Sequence, residues 1–223
     1  MRPRNVTRPA TAGALCFAFA SAADAAGAGA QSEIDSPVLP KPLIGVHENK
    51  LDVRAGHRGV VGGKVTPAVA RTLVSLQVRR AGRWRVLDRD RTDAAGRYRL
   101  RKRLERTGSS RVRIRVAAAL RMRPGKRALG RLNVYRTAYA SWYGPGLYGN
   151  RTGCGGTLHA GRLGVAHKSL PCGTMVTFKR GDRSVRVPVI DRGPYVGGRE
   201  YDLTAATAQR LGFQGHGGVL TTR

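Results

Sequence analysis

Four segments in the first half of the chain, "TLVSLQVRR" (72–80), "RWRVLDRD" (83–90), "RYRLRKRL" (97–104) and "RVRIRVAA" (111–118), alternate apolar residues with arginines and other polar residues. A helix would scatter that pattern around its surface, because side chains share a helical face only every three or four positions. A strand with one dry face and one wet face accommodates it directly. Turn signals separate the segments at Ala81-Gly82, at Asp93-Ala94-Ala95-Gly96 and at Gly108-Ser109, which is the spacing of an antiparallel sandwich. The alternation predicts such a sandwich over residues 44–122, with the lone Trp84 packed inward.

Charge qualifies this region further. The chain carries a net charge of +28, and residues 41–136 hold 27 Lys and Arg against 6 acids, whereas residues 137–223 hold 11 against 4. The sandwich has no cysteine, histidine pair or acid cluster able to do chemistry. A spacer or adhesion module is the natural reading. Its partners outside a cell would be anionic wall polymers, acidic glycans or lipid headgroups, and the bland alternative is an arginine-decorated, solvated face. Nucleic acid would be supported by charge alone, so no specific nucleic acid is expected. The stretch "KVTPAVARTLVSLQVRRAGRWRVLDRDRTDAAGRYRLRKRL" (64–104) also resembles bacterial immunoglobulin-like modules.

The chain opens with "MRPRNVTR", three arginines and no acid, followed by the apolar run "ATAGALCFAFASAA". That layout reads as a signal peptide over residues 1–30, with an uncleaved anchor as the alternative. The run is short and alanine-diluted against the roughly 20 apolar residues of a membrane span, so the mature form should have no stable span and be secreted, at the cell wall. Residues 31–43 ("QSEIDSPVLPKPL") read as a proline-rich linker and residues 123–137 as a second one. With Cys16 removed, Cys154 and Cys172 remain. An even pair in an exported protein reads first as a disulfide. The alternative is a zinc site formed with His159 and His167, whose spacings are looser than the usual structural patterns.

Residues 138–223 change texture, with glycines every few positions, short strands and one helix. "DLTAATAQRLG" has Thr204 as N-cap, Leu203, Thr207 and Leu211 near one face, and Gly212 as a left-handed stop. In "RSVRVPVID" the parity of Val185, Val187 and Val189 continues to Asp191 and points Arg192 the other way. Asp191 would then sit at a barrel rim in a partly apolar setting, which favours the protonated form that a general acid needs.

"ASWYGPGLYGNRT", "LGVAHKSLPCGT", "VIDRGPYVGGREYDLT" and "AATAQRLG" together resemble the double-psi β-barrel domain of the rare lipoprotein A (RlpA) family of septal lytic transglycosylases and, more distantly, expansin and barwin-type domains. The resemblance covers residues 138–223. It implies a six-stranded double-psi barrel with one short helix there; with the immunoglobulin-like sandwich that the alternation predicts preceding it, the chain as a whole is expected to be mainly β. It also implies a groove for a peptidoglycan glycan strand, with Asp191 and His167 as the functional pair. Asp202 lines that groove, Trp142, Tyr143 and Tyr195 supply its aromatics, and Thr152 opens the stretch aligned with the family's T-A-N-G-E.

The implied reaction is non-hydrolytic. One acid protonates the glycosidic oxygen while the muramic acid's own 6-hydroxyl closes on the anomeric carbon, with no cofactor or metal. The departure is Gly156, which stands where the family has a glutamate, with Cys154 in place of the asparagine. That leaves open a non-catalytic, expansin-like protein that binds and loosens wall glycan.

Overall fold

The alternating segments are strands. The structure, a computed structural model, describes residues 38–223; the expected signal peptide and the first part of the linker at 31–43 lie outside the described residues. In chain order the first eight strands are β1 (Leu43–Lys50), β2 (Asp52–Arg54), β3 (His57–Thr66), β4 (Leu73–Arg80), β5 (Arg83–Arg91), β6 (Arg97–Leu104), β7 (Gly108–Val116) and β8 (Gly125–Tyr143). One antiparallel sheet runs β1-β3-β6. Another runs β5-β4-β7-β8, with β2 added parallel to β8.

Both sheets turn their apolar parity onto one core. Val61, Tyr98 and Leu100 come from the first, and Val74, Leu76, Ile114 and Leu132 from the second. Each such side chain, fully buried, contributes about 1.5–3 kcal/mol. The arginines between them, including Arg99, Arg101 and Arg103, are exposed. Asp88 and Asp90 on β5 accept the backbone N–H groups of Arg101 (2.7 Å) and Arg99 (2.6 Å). These bonds cover the free edge of β6, which would otherwise be a template for another strand.

Trp84 does not enter this core. A register shift between Leu76 and Gln77 lets β5 contain one residue more than β4 at that point and breaks the parity on which the inward expectation rests. Trp84 lies half-buried on the sheet surface, with the Arg113 guanidinium 4.0 Å from its ring centroid. That is a cation–π contact.

The segment 123–137, expected as a linker, is mostly strand. β8 continues through it for 19 residues. Its first part pairs with β7 and β2, and its last part with strands of the C-terminal half. A register shift opposite Arg111–Arg113 together with Gly130 at φ 80° makes a bulge in the middle, and the surplus of arginines hides the alternation.

The remaining strands are β9 (Val165–His167), β10 (Met175–Arg180), β11 (Arg183–Asp191), β12 (Tyr201–Thr204) and β13 (Gly217–Thr221), with helix α1 (Ala205–Leu211) after β12. Pairing follows β12-β9-β11-β10-β13-β8, and β12 pairs again with β8, so six strands close on themselves. Val165, Val176, Phe178, Val187, Tyr201 and Leu203 fill the interior, where the Phe178 and Tyr201 rings meet edge to face at 5.0 Å. Thr204 caps α1 and Gly212, at φ 62°, ends it, as the sequence predicts. Among the described residues no helix is long and apolar enough to cross a membrane.

Candidate functional site

At one end of the barrel, a cavity of about 330 Å³ is bounded by the last residues of β8 and β11, by β12, and by the loops around Thr152 and Tyr195. β11 brings Asp191 to it through a bulge. Val165 pairs with Val189 and Ala166 with Asp191, so Ile190 is the extra residue. Ile190 is itself buried and presses on Gly164, where any Cβ would lie 2.4 Å from its Cδ1. The bulge overrides simple parity: Asp191 leaves the valine face and meets a polar setting.

That setting is three hydrogen-bond donors. The Asp191 carboxylate accepts from the backbone N–H of Gly153 (2.7 Å), its neighbour Arg192's N–H (2.8 Å) and the Tyr143 hydroxyl (3.2 Å). Burial, reinforced by the Asp191 charge, pushes the Tyr143 phenol well up, so it remains a donor at any physiological pH. Both oxygens of Asp191 are thereby fixed as acceptors in one orientation.

Asp202 lies in the same cavity. On β12 it stands in register with Ser141 of β8, whose hydroxyl donates to it at 2.9 Å. Burial raises its pKa above the usual 3.8; the Ser141 bond and Arg199 oppose the shift, and Asp191 adds to it. The two carboxylates therefore sit in contrasting environments, one held by three donors and one tilted toward its protonated form.

His167 does not line the cavity. Its Nδ1 accepts backbone N–H groups from Ser169 (3.1 Å) and Leu170 (3.0 Å), so the ring proton sits on Nε2. Nε2 lies 3.9 Å from Glu200, and the ring packs on Tyr201 with centroids 5.0 Å apart. Burial lowers its pKa; Glu200 pulls it up, while Arg136, Arg192 and Lys168 push it down. The balance favours the uncharged form, and the ring braces the turn after β9 through the Ser169 and Leu170 N–H groups.

The aromatics divide. Tyr143 and Tyr195 line the cavity, Tyr195 at its rim with 80% of its surface exposed. Trp142 does not; it lies outside the barrel core with 38% of its surface exposed. Thr152 lines the cavity, yet its hydroxyl donates within its own loop to the Gly155 carbonyl at 2.8 Å.

Cys154 and Cys172 form a disulfide with Cα atoms 5.6 Å apart, so neither sulfur is a thiolate available to zinc. The bond ties the loop that supplies the Gly153 N–H to the strand system below it. Arg192, expected to point away, reinforces the same joint: it donates to the carbonyls of Leu170 (3.0 Å) and His167 (3.3 Å) and to Cys172 Sγ (2.9 Å). Gly156 has φ 74°, and a Cβ there would meet the Arg162 guanidinium at 3.1 Å. Sequence reasoning missed Ser141, Arg199 and Glu200. Ser141 alone carried a signal, standing beside Trp142 in the motif that aligns with Asp202 across the sheet.

A sequence family described as lytic transglycolase matches residues 135–221. The probable endolytic peptidoglycan transglycosylase RlpA of Synechocystis sp. is 46% identical over 80 residues, covering 35% of this chain and 25% of that protein. Its counterpart in Aquifex aeolicus is 40% identical over 94 residues, covering 41% and 42%. The endolytic peptidoglycan transglycosylase RlpA of Campylobacter jejuni is 45% identical over 74 residues, covering 32% and 27%. The chain thus spans between a quarter and less than half of the length of these curated relatives. Among solved structures, the Streptomyces papain inhibitor shares 23% identity over 40% of this chain and 94% of its own, with a TM-score of 0.31.

Proposed function

With residues 135–221 forming an RlpA-like double-psi β-barrel domain, we propose that this protein binds peptidoglycan glycan strands in the barrel groove and cleaves them without water. The carrying observation is the pair of carboxylates in one cavity, Asp191 held by three donors and Asp202 tilted by burial toward protonation. Environments that separate two carboxylates in this way assign them opposite roles in proton transfer.

Asp202 gives its proton to the glycosidic oxygen between muramic acid and glucosamine as the bond from the anomeric carbon to that oxygen breaks. The muramic acid's 6-hydroxyl oxygen bonds to the anomeric carbon, and its proton passes to Asp191. The products are a 1,6-anhydro end and a free 4-hydroxyl, so atoms and charge balance. Each proton transfer of this kind contributes about 10²–10⁴-fold. Tyr143 orients Asp191, Tyr195 stacks on a sugar, and Thr152 shapes the loop beneath. His167 is a positioning residue, since its free nitrogen faces Glu200 rather than the cavity.

The rest of the chain fits export and retention at a wall. The two facing sheets of residues 44–122, with arginines outward, support an immunoglobulin-like sandwich that adheres to anionic wall polymers. The disulfide supports an oxidising compartment.

A second reading is favoured by Gly156. The loop there is left-handed and its space is filled by Arg162, so the groove has one carboxylate fewer than the family pattern, as a groove that only binds and loosens glycan would. The test is mass spectrometry of soluble products after incubating the protein with peptidoglycan, intact and stripped of stem peptides, beside Asp191→Asn and Asp202→Asn. Anhydro products from the wild type alone are expected. A wild type that pellets with the glycan but releases nothing supports the second reading.

A further inference from the structure

A cleft of about 780 Å³ lies away from the carboxylates, between β1–β3 and β8 on one side and β10–β11 on the other. Its walls carry Lys50, Arg54, Arg58, Arg131 and Arg186 against one acid, Asp52. Asp52 is already engaged by Asn133 Nδ2 at 2.7 Å and the Tyr135 hydroxyl at 3.4 Å. Among the described residues Arg54, Arg58, Arg131 and Arg186 form no ion pair; Lys50 reaches Glu48 at 3.6 Å.

Arg131 is held in place by donation to Ser109 Oγ and to the Ser109 carbonyl, both at 2.7 Å. Burial lowers its pKa, and the charges of Arg186 and Arg111 lower it further. Like charges gathered in a concave site whose single acid, Asp52, is engaged by Asn133 and Tyr135 repel one another, and a bound anion relieves that repulsion. Guanidinium forks suit oxyanions that accept two N–H bonds at once.

We propose that this cleft binds a flexible polymer of phosphodiesters, independently of any cleavage in the barrel groove. Four guanidiniums from β2, β3, β8 and β11 present several contact points, as a polymer requires and a single small anion does not. No Trp, Tyr or Phe lines the cleft; its one ring is the His57 imidazole, whose Nδ1 lies 3.3 Å from the Ala55 carbonyl, so the run of stacking rings typical of single-stranded nucleic acid sites is missing. The ligand is therefore a phosphate chain without bases, and the proposal places the adhesion of the basic half at one site rather than over its whole surface.

The test uses the full chain and compares the cleft double variant Arg58→Ala/Arg186→Ala with a charge-matched control, Arg83→Ala/Arg85→Ala, on the exposed face of β5. The probes are poly(glycerol phosphate) and an oligothymidylate of equal charge, with binding followed by titration across a salt series. The cleft variant should weaken poly(glycerol phosphate) binding by about tenfold near physiological salt and reduce the salt slope by about two, one per cation removed. The control should change affinity by less than about twofold. Equal losses in both variants mean diffuse charge and overturn the proposal. Tighter oligothymidylate binding, lost in the cleft variant alone, also overturns it by making the cleft a nucleic-acid site. If Arg58→Ala/Arg186→Ala melts early, Arg54→Gln/Arg186→Gln takes its place, with the same outcomes.

Discussion

Asp202 and Ser141 stand opposite one another in register on β12 and β8, and the serine hydroxyl donates to the carboxylate at 2.9 Å. Despite that bond the carboxyl is driven above its usual 3.8 by burial. The folded state therefore binds a proton more readily than the unfolded chain, and stability falls as pH rises from about 3.8 through the folded value. Asp202→Asn keeps an acceptor for Ser141 and removes the charge. Thermal melts should show the variant gaining on the wild type as pH rises through that window, by a few degrees, while release of anhydro products from peptidoglycan is lost. A wild-type advantage that grows with pH would contradict the assignment.

His167 carries the opposite sign. Its pKa is lowered below the usual 6.5, mainly by burial, so folding disfavours the proton and stability is lost as pH falls below about 6.5. His167→Asn retains an acceptor for the Ser169 and Leu170 N–H groups. It should flatten the acid side of the stability curve and reduce kcat less than about tenfold, the effect of a positioning group. Complete loss of product from a well-folded variant would place the imidazole in the chemistry.

Gly156→Glu adds back the carboxylate of the family pattern, on a backbone at φ 74°. A left-handed residue with a Cβ costs about 1–2 kcal/mol, a melting shift of a few degrees in a body of this size. Product release should not rise. A more active variant would show that the loop re-forms around the new side chain.

Tyr195 and Trp142 separate a groove aromatic from a bystander. Tyr195 lines the cavity with 80% of its surface exposed, whereas Trp142, exposed at 38%, is not among the residues that line it. Tyr195→Ala should weaken pelleting with peptidoglycan by roughly 1 kcal/mol, several-fold in affinity. Trp142→Ala should leave it within twofold. The reverse order would relocate the sugar path.

Much of the fold was legible because parity is local: Val112 and Ile114, or Val185 and Val187, are buried as alternation predicts. The helix, its caps and the disulfide were legible for a similar reason, since capping residues and paired cysteines act through identity. What escaped depends on bulges and on distant partners. An extra residue on β5 put Trp84 outside the core, another at Ile190 turned Asp191 toward three donors, and Gly130 within an arginine-rich stretch disguised β8 as a linker. The contrast between Asp191 and Asp202 arises from Tyr143, Ser141 and the Gly153 N–H, which converge only after the barrel closes.

The same strand β8 has a mechanical consequence. It is laddered to β7 and β2 over its first part and to β13 and β12 over its last. The strand continues through its bulge at Gly130 for 19 residues, those outside the bulge advancing roughly 3.3 Å each. A tethered pair of domains would search a volume set by chain entropy. A shared strand instead works as a gauge, setting the offset between whatever each half grips and transmitting a pull on one directly to the other.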